Sequence, residues 1–226
     1  MSKKILFVSA HPDDEILGAG GTLIRHRNQG DDLLWLIITR VSVQNGFSQE
    51  RVDSREKEIE KVAEQLKAKV YQLDYPTMQL SSNSLVTLVP DISVVINGCQ
   101  PERIYVMNRS DAHSDHRIVF DAVFSCTKSF RYPFIREVLM YECLSETEFA
   151  PSLPERAFIP NCFVDISSTM AEKLDLMEIY SSEMSEHPFP RSRRNIQALA
   201  TFRGASCGRE YAEAFQILKT YRFEEL

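Results

Sequence analysis

Histidines and carboxylates are concentrated in two short segments of the 226-residue chain. Residues 11–15 read His-Pro-Asp-Asp-Glu, and residues 111–116 read Asp-Ala-His-Ser-Asp-His. Three of the five histidines lie in these segments. A catalytic zinc ion takes about three ligands from imidazole and carboxylate groups and keeps one position open for water. The pair of segments therefore favours a metal centre, whereas either one alone could equally contain a structural histidine and helix-capping acids.

The chemistry of such a centre also requires a carboxylate that does not bind the ion. Zinc lowers the pKa of its bound water to about 7, so that hydroxide can attack an amide carbonyl near neutral pH. A second carboxylate must then accept the proton as general base. Asp13 and Asp14 are adjacent, and because neighbouring side chains point in different directions they can divide these two tasks. The pattern predicts a metal-dependent amidohydrolase.

Alternating strand and helix patterns place both segments at the same edge of a sheet. Short apolar runs that end in turns are typical of buried parallel strands, and amphipathic segments between them are typical of helices. Ligands of open parallel sheets bind at the carboxyl ends of the strands, where the strand order reverses. The predicted strands are 5–10, 33–39, 70–73, 103–107, 138–142 and 163–166, and the predicted helices are 22–28, 50–68, 85–95, 114–126, 168–181 and 211–220.

These elements predict an α/β fold. We expect a Rossmann-like three-layer sandwich with a mostly parallel sheet, and an irregular C-terminal third that completes the site. The length suits a single domain over residues 1–226. Gly18, Gly20 and Gly21 do not form a dinucleotide or P-loop fingerprint, so close packing of a helix on the sheet is the favoured interpretation. The same absence argues against a nucleotide-binding domain, which the topology alone would allow.

The overall composition limits the partners. A net charge of −6 without a long basic run argues against binding to nucleic acid or to an anionic membrane. The five cysteines are odd in number and widely spaced, which indicates reduced thiols in a cytoplasmic protein. The apolar run at 5–10 is too short for a signal peptide or a membrane span. A small molecule is therefore the expected partner.

The two segments resemble the signatures of the LmbE-like (PIG-L) family of zinc-dependent N-deacetylases. The matching motifs are Ala-His-Pro-Asp-Asp-Glu at 10–15 and His-x-Asp-His at 113–116. Further matches extend along nearly the whole chain: residues 18–22, Arg55, Glu58, residues 163–166, Lys173, Tyr180, Ser182, residues 203–204 and residues 211–215. The resemblance implies hydrolysis of the acetamide of an N-acetylated amino sugar, as a soluble N-acetylglucosamine conjugate, with release of acetate and a free amine.

The resemblance also implies a role for individual residues of the two segments. Three residues would bind zinc, with one ion per chain: His11, Asp14 and His116. Asp13 would be the general base, and His113 would stabilise the oxyanion and could protonate the leaving amine. Asp115 would orient a histidine and raise its pKa. A homo-oligomer would be unsurprising for this family.

A metal-containing sugar- or glycan-binding protein without hydrolytic activity is the alternative function. Binding alone needs neither a general base nor an oxyanion donor, so the presence of Asp13 and His113 argues against it.

Two positions depart from the family pattern. Ser114 stands where proline is common, which leaves the backbone at His113 less constrained, and Glu183 stands where glutamine is common and could affect substrate fit.

Arg55 and His187 are the candidates for substrate contact outside the two segments. Arg55 could bind a sugar hydroxyl or an anionic group, or could only pair with nearby acids; the resemblance favours substrate contact. His187 lies in a proline-rich loop that could line the cleft. A solvated position is the default expectation for the remaining basic residues of interest: His26, Arg191, Arg193 and Arg194. The three arginines form a basic cluster that could alternatively recognise an acidic substrate or a subunit.

Overall fold

The structure is a computed structural model, and it describes residues 2–223. Within that range a seven-stranded sheet is accompanied by six α-helices. The strands are β1 (Lys4–Ser9), β2 (Asp32–Arg40), β3 (Lys69–Pro76), β4 (Arg103–Met107), β5 (Glu137–Tyr141), β6 (Cys162–Asp165) and β7 (Ala212–Thr220). The helices are α1 (Asp14–Gln29), α2 (Gln49–Leu66), α3 (Leu85–Cys99), α4 (Ser114–Ser125), α5 (Met170–Ile179) and α6 (Arg193–Cys207).

The strand order is β3-β2-β1-β4-β5-β7-β6. The first five strands of this order are parallel, and β7 runs antiparallel to both of its neighbours. Strands β2 and β3 follow β1 on one side of the sheet, and β5 follows β4 on the other side. The strand order therefore reverses between β1 and β4, so this pair is the switch point of the sheet. The two motif segments follow these adjacent strands. The mostly parallel α/β sheet predicted from the sequence is confirmed.

The helices pack in two groups. In the first group, helix α1 contacts α2 and α5, and α5 also contacts α6. In the second group, α3 packs on α4. Right-handed crossovers place such groups on opposite faces of the sheet, as a three-layer sandwich requires. Strands β1 and β2 lie between them and are apolar almost throughout, because both of their faces are buried. Within residues 2–223, no helix combines the length and the apolar character that a membrane span needs.

The prediction of a helix at 211–220 is wrong. This segment is strand β7, inserted between β5 and β6. Alanine and glutamate favour helices, but propensity is a weak prior that tertiary pairing overrides. Residues 212–215 are buried on both faces, so the polar–apolar alternation that marks a half-exposed strand is missing. Helix α6 was not predicted, although Ser192 caps its first turn by accepting a hydrogen bond from the Asn195 N–H at 3.2 Å.

Helix α1 begins at Asp14, eight residues before the predicted helix at 22–28. The backbone of Ala19 is not helical, so α1 consists of two helical parts joined at a kink. Glu213 of β7 accepts hydrogen bonds from the backbone N–H groups of Gly21 and Thr22 at 2.9 and 2.7 Å. It thereby satisfies N–H groups that would lack partners at the start of the second part. Lys173 of α5 neutralises this carboxylate at 2.7 Å.

The glycines of α1 allow the helix to pack closely on its neighbours, as expected from the sequence. A Cβ atom at Gly18 would overlap the buried ring of Tyr141, with its Cε2 atom 2.7 Å away. We expect Gly18→Ala to lower the free energy of unfolding by about 1–3 kcal/mol through overpacking. Urea denaturation measures this change. Gly98→Ala is the matched control, because its helical Cβ meets nothing within 4 Å and should leave stability unchanged or slightly raised.

Candidate active site

Three side chains from the two motif segments converge on one point beside the β1–β4 switch point. His11 follows β1, Asp14 begins α1, and His116 lies in the first turn of α4. One donor atom from each lies within 4.8 Å of the others. His116 Nε2 is 3.3 Å from Asp14 Oδ1, and His11 Nδ1 is 4.0 Å from Asp14 Oδ2. Donors at 2.0–2.1 Å from a tetrahedral zinc ion lie about 3.3 Å apart, so these residues fit the ion.

The electrostatics of Asp14 suit a metal ligand. Although burial opposes ionisation, His116 and His11 hold the pKa of Asp14 below its ordinary value. The backbone N–H of His11 also donates to Asp14 Oδ2 at 2.9 Å. The thiol of Cys143, to which the sequence interpretation gave no role at the site, lies 3.6 Å from Asp14 Oδ1 and is almost fully buried.

Each of the two histidines that could bind the metal also contacts a carboxylate through its other ring nitrogen. His116 Nδ1 is 2.9 Å from Asp111 Oδ2, and His11 Nε2 is 3.0 Å from Asp115 Oδ2. Such pairs fix the tautomer and the ring orientation of a metal-binding histidine. Asp111 was not assigned a role from the sequence, although it lies in the same motif segment. Its Oδ1 atom accepts hydrogen bonds from Asn108 at 2.9 Å and from Thr147 at 2.7 Å.

A second group of potential metal ligands comprises His11, His113 and Asp115. The oxygens of Asp115 already accept hydrogen bonds from the backbone N–H groups of Met78 at 2.7 Å and Leu80 at 3.1 Å, in addition to the contact with His11. This carboxylate is therefore held as a hydrogen-bond acceptor. The group that contains Asp14 and His116 is the better metal site.

His113 lies next to these candidate ligands, and one of its ring nitrogens has no hydrogen-bond partner among residues 2–223. Its Nδ1 atom accepts the backbone N–H of Asp115 at 3.1 Å, which orients the ring at the N-terminus of α4. Burial, with contributions from His11 and His116, lowers the pKa of His113 to about 4. The ring is therefore neutral near pH 7 and carries its proton on Nε2. The contact from Asp115 fixes the ring even though Ser114 replaces a proline.

Asp13 has an unusual backbone conformation. Its φ of 124° and ψ of −29° lie in a region that non-glycine residues rarely adopt, at a cost of about 1–3 kcal/mol. The backbone N–H of Asp13 donates to Glu15 Oε2 at 2.9 Å, and the Arg55 guanidinium donates to the carbonyl oxygen of Pro12 at 2.9 Å. Both contacts hold the peptide group between Pro12 and Asp13 and so fix the direction of the Asp13 side chain.

The carboxyl group of Asp13 is buried beside other acids. Burial raises the pKa of Asp13 well above its ordinary value, and the charges of Asp14 and Glu183 act in the same direction, against Arg55 and Arg191. A raised pKa is expected of a carboxylate that must both accept and release a proton.

Glu15 accepts the backbone N–H of Asp13, and Tyr180 in turn contacts Glu15. Glu15 is fully buried, and the Tyr180 O–H donates to Glu15 Oε1 at 2.6 Å. Burial raises the pKa of Glu15 to about 7. The sequence interpretation assigned Tyr180 to the core, which is correct for its ring but overlooks its hydroxyl group.

We expect Tyr180→Phe to lower the free energy of unfolding by about 1–3 kcal/mol, because it leaves a buried carboxylate oxygen without its partner. Metal content should remain unchanged, since Tyr180 contacts none of the metal-binding donors directly. Denaturation and elemental analysis measure the two effects. Tyr211→Phe is the control: its hydroxyl group accepts a hydrogen bond from Gln197 at the surface, so the change should stay within about 0.5 kcal/mol.

The pairing of Arg55 with nearby acids is found, and its contact with the substrate stays a prediction. Arg55 lines the cavity that contains the metal donors, and it also pairs with Glu58 at 3.3 Å and with Glu183. His187 does not line this cavity; it is exposed in a separate depression with Arg193 and Arg194. The expectation that His187 contacts the substrate is therefore not supported by its position.

Two basic residues expected to be solvated are not. His26 is buried, with Nδ1 2.6 Å from Asp31 Oδ2 and Nε2 3.0 Å from the Tyr105 hydroxyl group. Arg191 lines the cavity and donates from Nε to the carbonyl oxygen of Glu183 at 2.7 Å. Of these partners, Tyr105 lies in a distant strand, whereas Asp31 is five residues from His26 and Glu183 is eight residues from Arg191.

The cavity has a volume of about 300 Å³. This value lies at the lower end of the range for small-molecule sites. Its walls come from the turn after β1, the first half of α2, the segments around residues 77–78 and 143–146, and the region of Glu183 and Arg191. The C-terminal third thus contributes to the site, as expected.

Comparisons with known proteins agree with the motifs. Residues 6–127 match the PIG-L family, described as GlcNAc-PI de-N-acetylase. The diacetylchitobiose deacetylase of Thermococcus kodakarensis is 25% identical over 96% of this chain and 83% of its own length. The A40926 pseudoaglycone deacetylase Dbv21 superposes with a TM-score of 0.77 at 17% identity, over 99% of this chain and 100% of that one.

The fold also occurs in a protein with another reaction. The 4-carboxy-2-hydroxymuconate hydratase GalB of Pseudomonas putida superposes with a TM-score of 0.69 at 21% identity, over 99% of both chains. Structural likeness at this identity establishes the fold, and function depends on the site. The family match spans more than half of the chain and includes both motif segments. The chain therefore belongs to the PIG-L, or GlcNAc-PI de-N-acetylase, family of hydrolytic deacetylases.

Proposed function

We propose that this protein is a zinc-dependent N-deacetylase of a small N-acetylated amino sugar conjugate. The observation that carries the proposal is the convergence of His11, Asp14 and His116 donors with the carboxyl group of Asp13 beside them. Family membership supports the reaction type. The relatives named diacetylchitobiose deacetylase and pseudoaglycone deacetylase support an N-acetylated sugar as substrate.

The chain's own residues divide the work of hydrolysis. A zinc ion held by His11, Asp14 and His116, one per chain, would polarise the acetamide carbonyl and acidify water. Asp13 takes a proton from the attacking water while the water oxygen bonds to the carbonyl carbon. When the C–N bond breaks, Asp13 returns that proton to the amine, so that acetate and a free amine leave. The raised pKa of Asp13 suits this exchange.

His113 stabilises the developing oxyanion as a neutral hydrogen-bond donor. Its Nδ1 atom is occupied by the Asp115 N–H, so the Nε2–H group is available for the substrate oxygen. Burial and the neighbouring histidines lower the pKa of His113, which favours a neutral ring near pH 7, and we propose that Asp13 delivers the proton to the amine instead.

We expect His113→Ala to retain zinc and to lose about 100- to 1000-fold in kcat, the usual cost of removing one oxyanion donor. Elemental analysis and a steady-state acetate assay measure the two effects. His113→Gln, which keeps an N–H donor, should recover part of the rate. Loss of zinc in either variant would instead make His113 a ligand.

Acetate release from simple glycosides tests the proposed function itself. The zinc-loaded protein should convert the methyl glycoside of N-acetylglucosamine into acetate and the free amine in equal amounts. A hydratase, as represented by GalB, would add water to an unsaturated acid and release no acetate. A binding protein would bind the glycoside without turnover, and either result would contradict the proposal.

A further inference from the structure

Three arginines share one carboxylate on the wall of the cavity. Glu183 Oε1 accepts hydrogen bonds from Arg51 and Arg55, and Glu183 Oε2 accepts one from Arg191 at 3.3 Å. Arg51 and Arg55 lie on α2, whereas Glu183 and Arg191 lie in the chain between α5 and α6. The cluster therefore joins two separate segments around a single negative charge.

The charges of this cluster do not balance. Arg55 has Glu58 as an additional partner at 3.3 Å and is the most buried of the three. The arginines hold the pKa of Glu183 below its ordinary value despite burial, so this group carries one full negative charge. Among residues 2–223, Arg51 and Arg191 therefore have only that one carboxylate between them, which leaves one positive charge in excess at the cavity.

The other acids that line the cavity do not remove this excess. Glu56 pairs with Arg40 at 3.0 Å. Burial raises the pKa of Glu146, which disfavours its charge. Asp13 and Asp14 belong to the metal centre, where a bound cation would offset them. An excess positive charge beside an open cavity attracts an anionic ligand.

The two guanidinium groups also have donors to spare. Each offers five N–H groups in a planar fork that suits carboxylate and phosphate. Arg51 donates to Ser182 and Glu183, and Arg191 donates to Ser145 at 2.7 Å and to Glu183. Their side chains remain 29% and 20% exposed. Within residues 2–223, these contacts leave N–H groups on both arginines available to a ligand.

We propose that Arg51 and Arg191 form an anion subsite that recognises a carboxylate or phosphate group on the substrate, an inference that rests on the proposed function. The cavity of about 300 Å³ has room for one sugar with a small substituent. The substrate class is thus a small N-acetylated amino sugar that carries a negative charge, and large neutral glycoconjugates are poor substrates. Glu183 keeps the two arginines apart and in place when no substrate is bound.

Three glycosides that differ in charge test the subsite. They are the methyl glycoside of N-acetylglucosamine, its carboxymethyl glycoside, and N-acetylglucosamine 1-phosphate. We expect the zinc-loaded protein to prefer at least one charged compound by about tenfold or more in kcat/KM, mainly through KM. The carboxymethyl and phosphate arms distinguish the two kinds of anion. Equal kcat/KM values for all three would overturn the subsite.

Variants assign the preference to the named residues. In Arg51→Gln and Arg191→Gln the ratio of charged to neutral kcat/KM should fall toward one. Glu183→Gln should change the ratio in the opposite direction, because it removes the competing charge. Arg193→Gln is the matched control, since Arg193 lies outside the cavity and pairs with Glu178. Retention of the full preference in both arginine variants would overturn the assignment.

A binding measurement separates this inference from the proposed function. Calorimetric titration of the zinc-loaded protein with the three corresponding free amines, which have no acetamide to hydrolyse, gives Kd values without turnover. If no acetylated compound releases acetate but a charged amine binds about tenfold more tightly than the amine of the methyl glycoside, the deacetylase proposal fails and the subsite stands. If acetate is released from all three acetylated compounds and the Kd values of the three amines are equal, the subsite fails and the deacetylase proposal stands.

Discussion

Replacing His116 by alanine is expected to remove zinc from the protein and to abolish acetate release. His116 is 1% exposed and is the donor nearest to Asp14, so its loss leaves two ligands for a cation that needs about three. The rate should fall by more than the roughly 100- to 1000-fold that one oxyanion donor costs. Elemental analysis of the purified variant and the acetate assay measure both losses.

His187→Ala provides the control for that experiment. It also removes one imidazole, but His187 is exposed and lies outside the cavity, so zinc content and rate should both be unchanged. A circular dichroism spectrum equal to that of the parent protein would show that His116→Ala still folds. Full zinc occupancy in folded His116→Ala would refute the ligand assignment.

Asp13→Asn is expected to keep zinc and to lose about 100- to 10,000-fold in kcat, the range attributed to general acid–base catalysis. The amide is close in size to the carboxyl group but cannot accept a proton from water. The contacts that set its backbone come from Glu15 and Arg55 and do not use the Asp13 side chain. The zinc-loaded variant should therefore bind the methyl glycoside with a Kd close to that of the parent.

The control for the Asp13 variant is Asp121→Asn, an exposed position on α4 where the same change should alter neither rate nor metal content. A metal-loaded Asp13→Asn protein with more than about one tenth of the parent rate would exclude Asp13 as the base. In that case Glu146, which also lines the cavity, would be the next carboxylate to test.

The sequence was sufficient to predict the parallel half of the sheet and the residues that converge on the metal site. Apolar runs such as β1 and β2 are easily recognised because both faces are buried. The motif segments then meet because β1 and β4 are neighbours. The metal-binding and catalytic roles of these residues stay predictions until the variants are measured.

The parts that were not predicted depend on contacts between distant segments. Asp115 was expected to orient a histidine, but only the fold shows that its side chain contacts His11 while its backbone contacts His113. The link from Tyr180 to Glu15 spans 165 positions in the sequence. Strand β7 begins with Ala-Glu-Ala, residues that favour a helix, and its pairing with β5 and β6 decides its structure.

The late position of β7 in the chain has a consequence for biosynthesis. Domains fold as units during translation, and the N-terminal part emerges first. Strand β6 is made about fifty residues before β7, yet β7 is the partner that joins it to the sheet. Glu213, which caps the second part of α1, also emerges late. The nascent protein therefore completes its sheet only when residues 212–220 have left the ribosome, so premature termination before them would yield an inactive product.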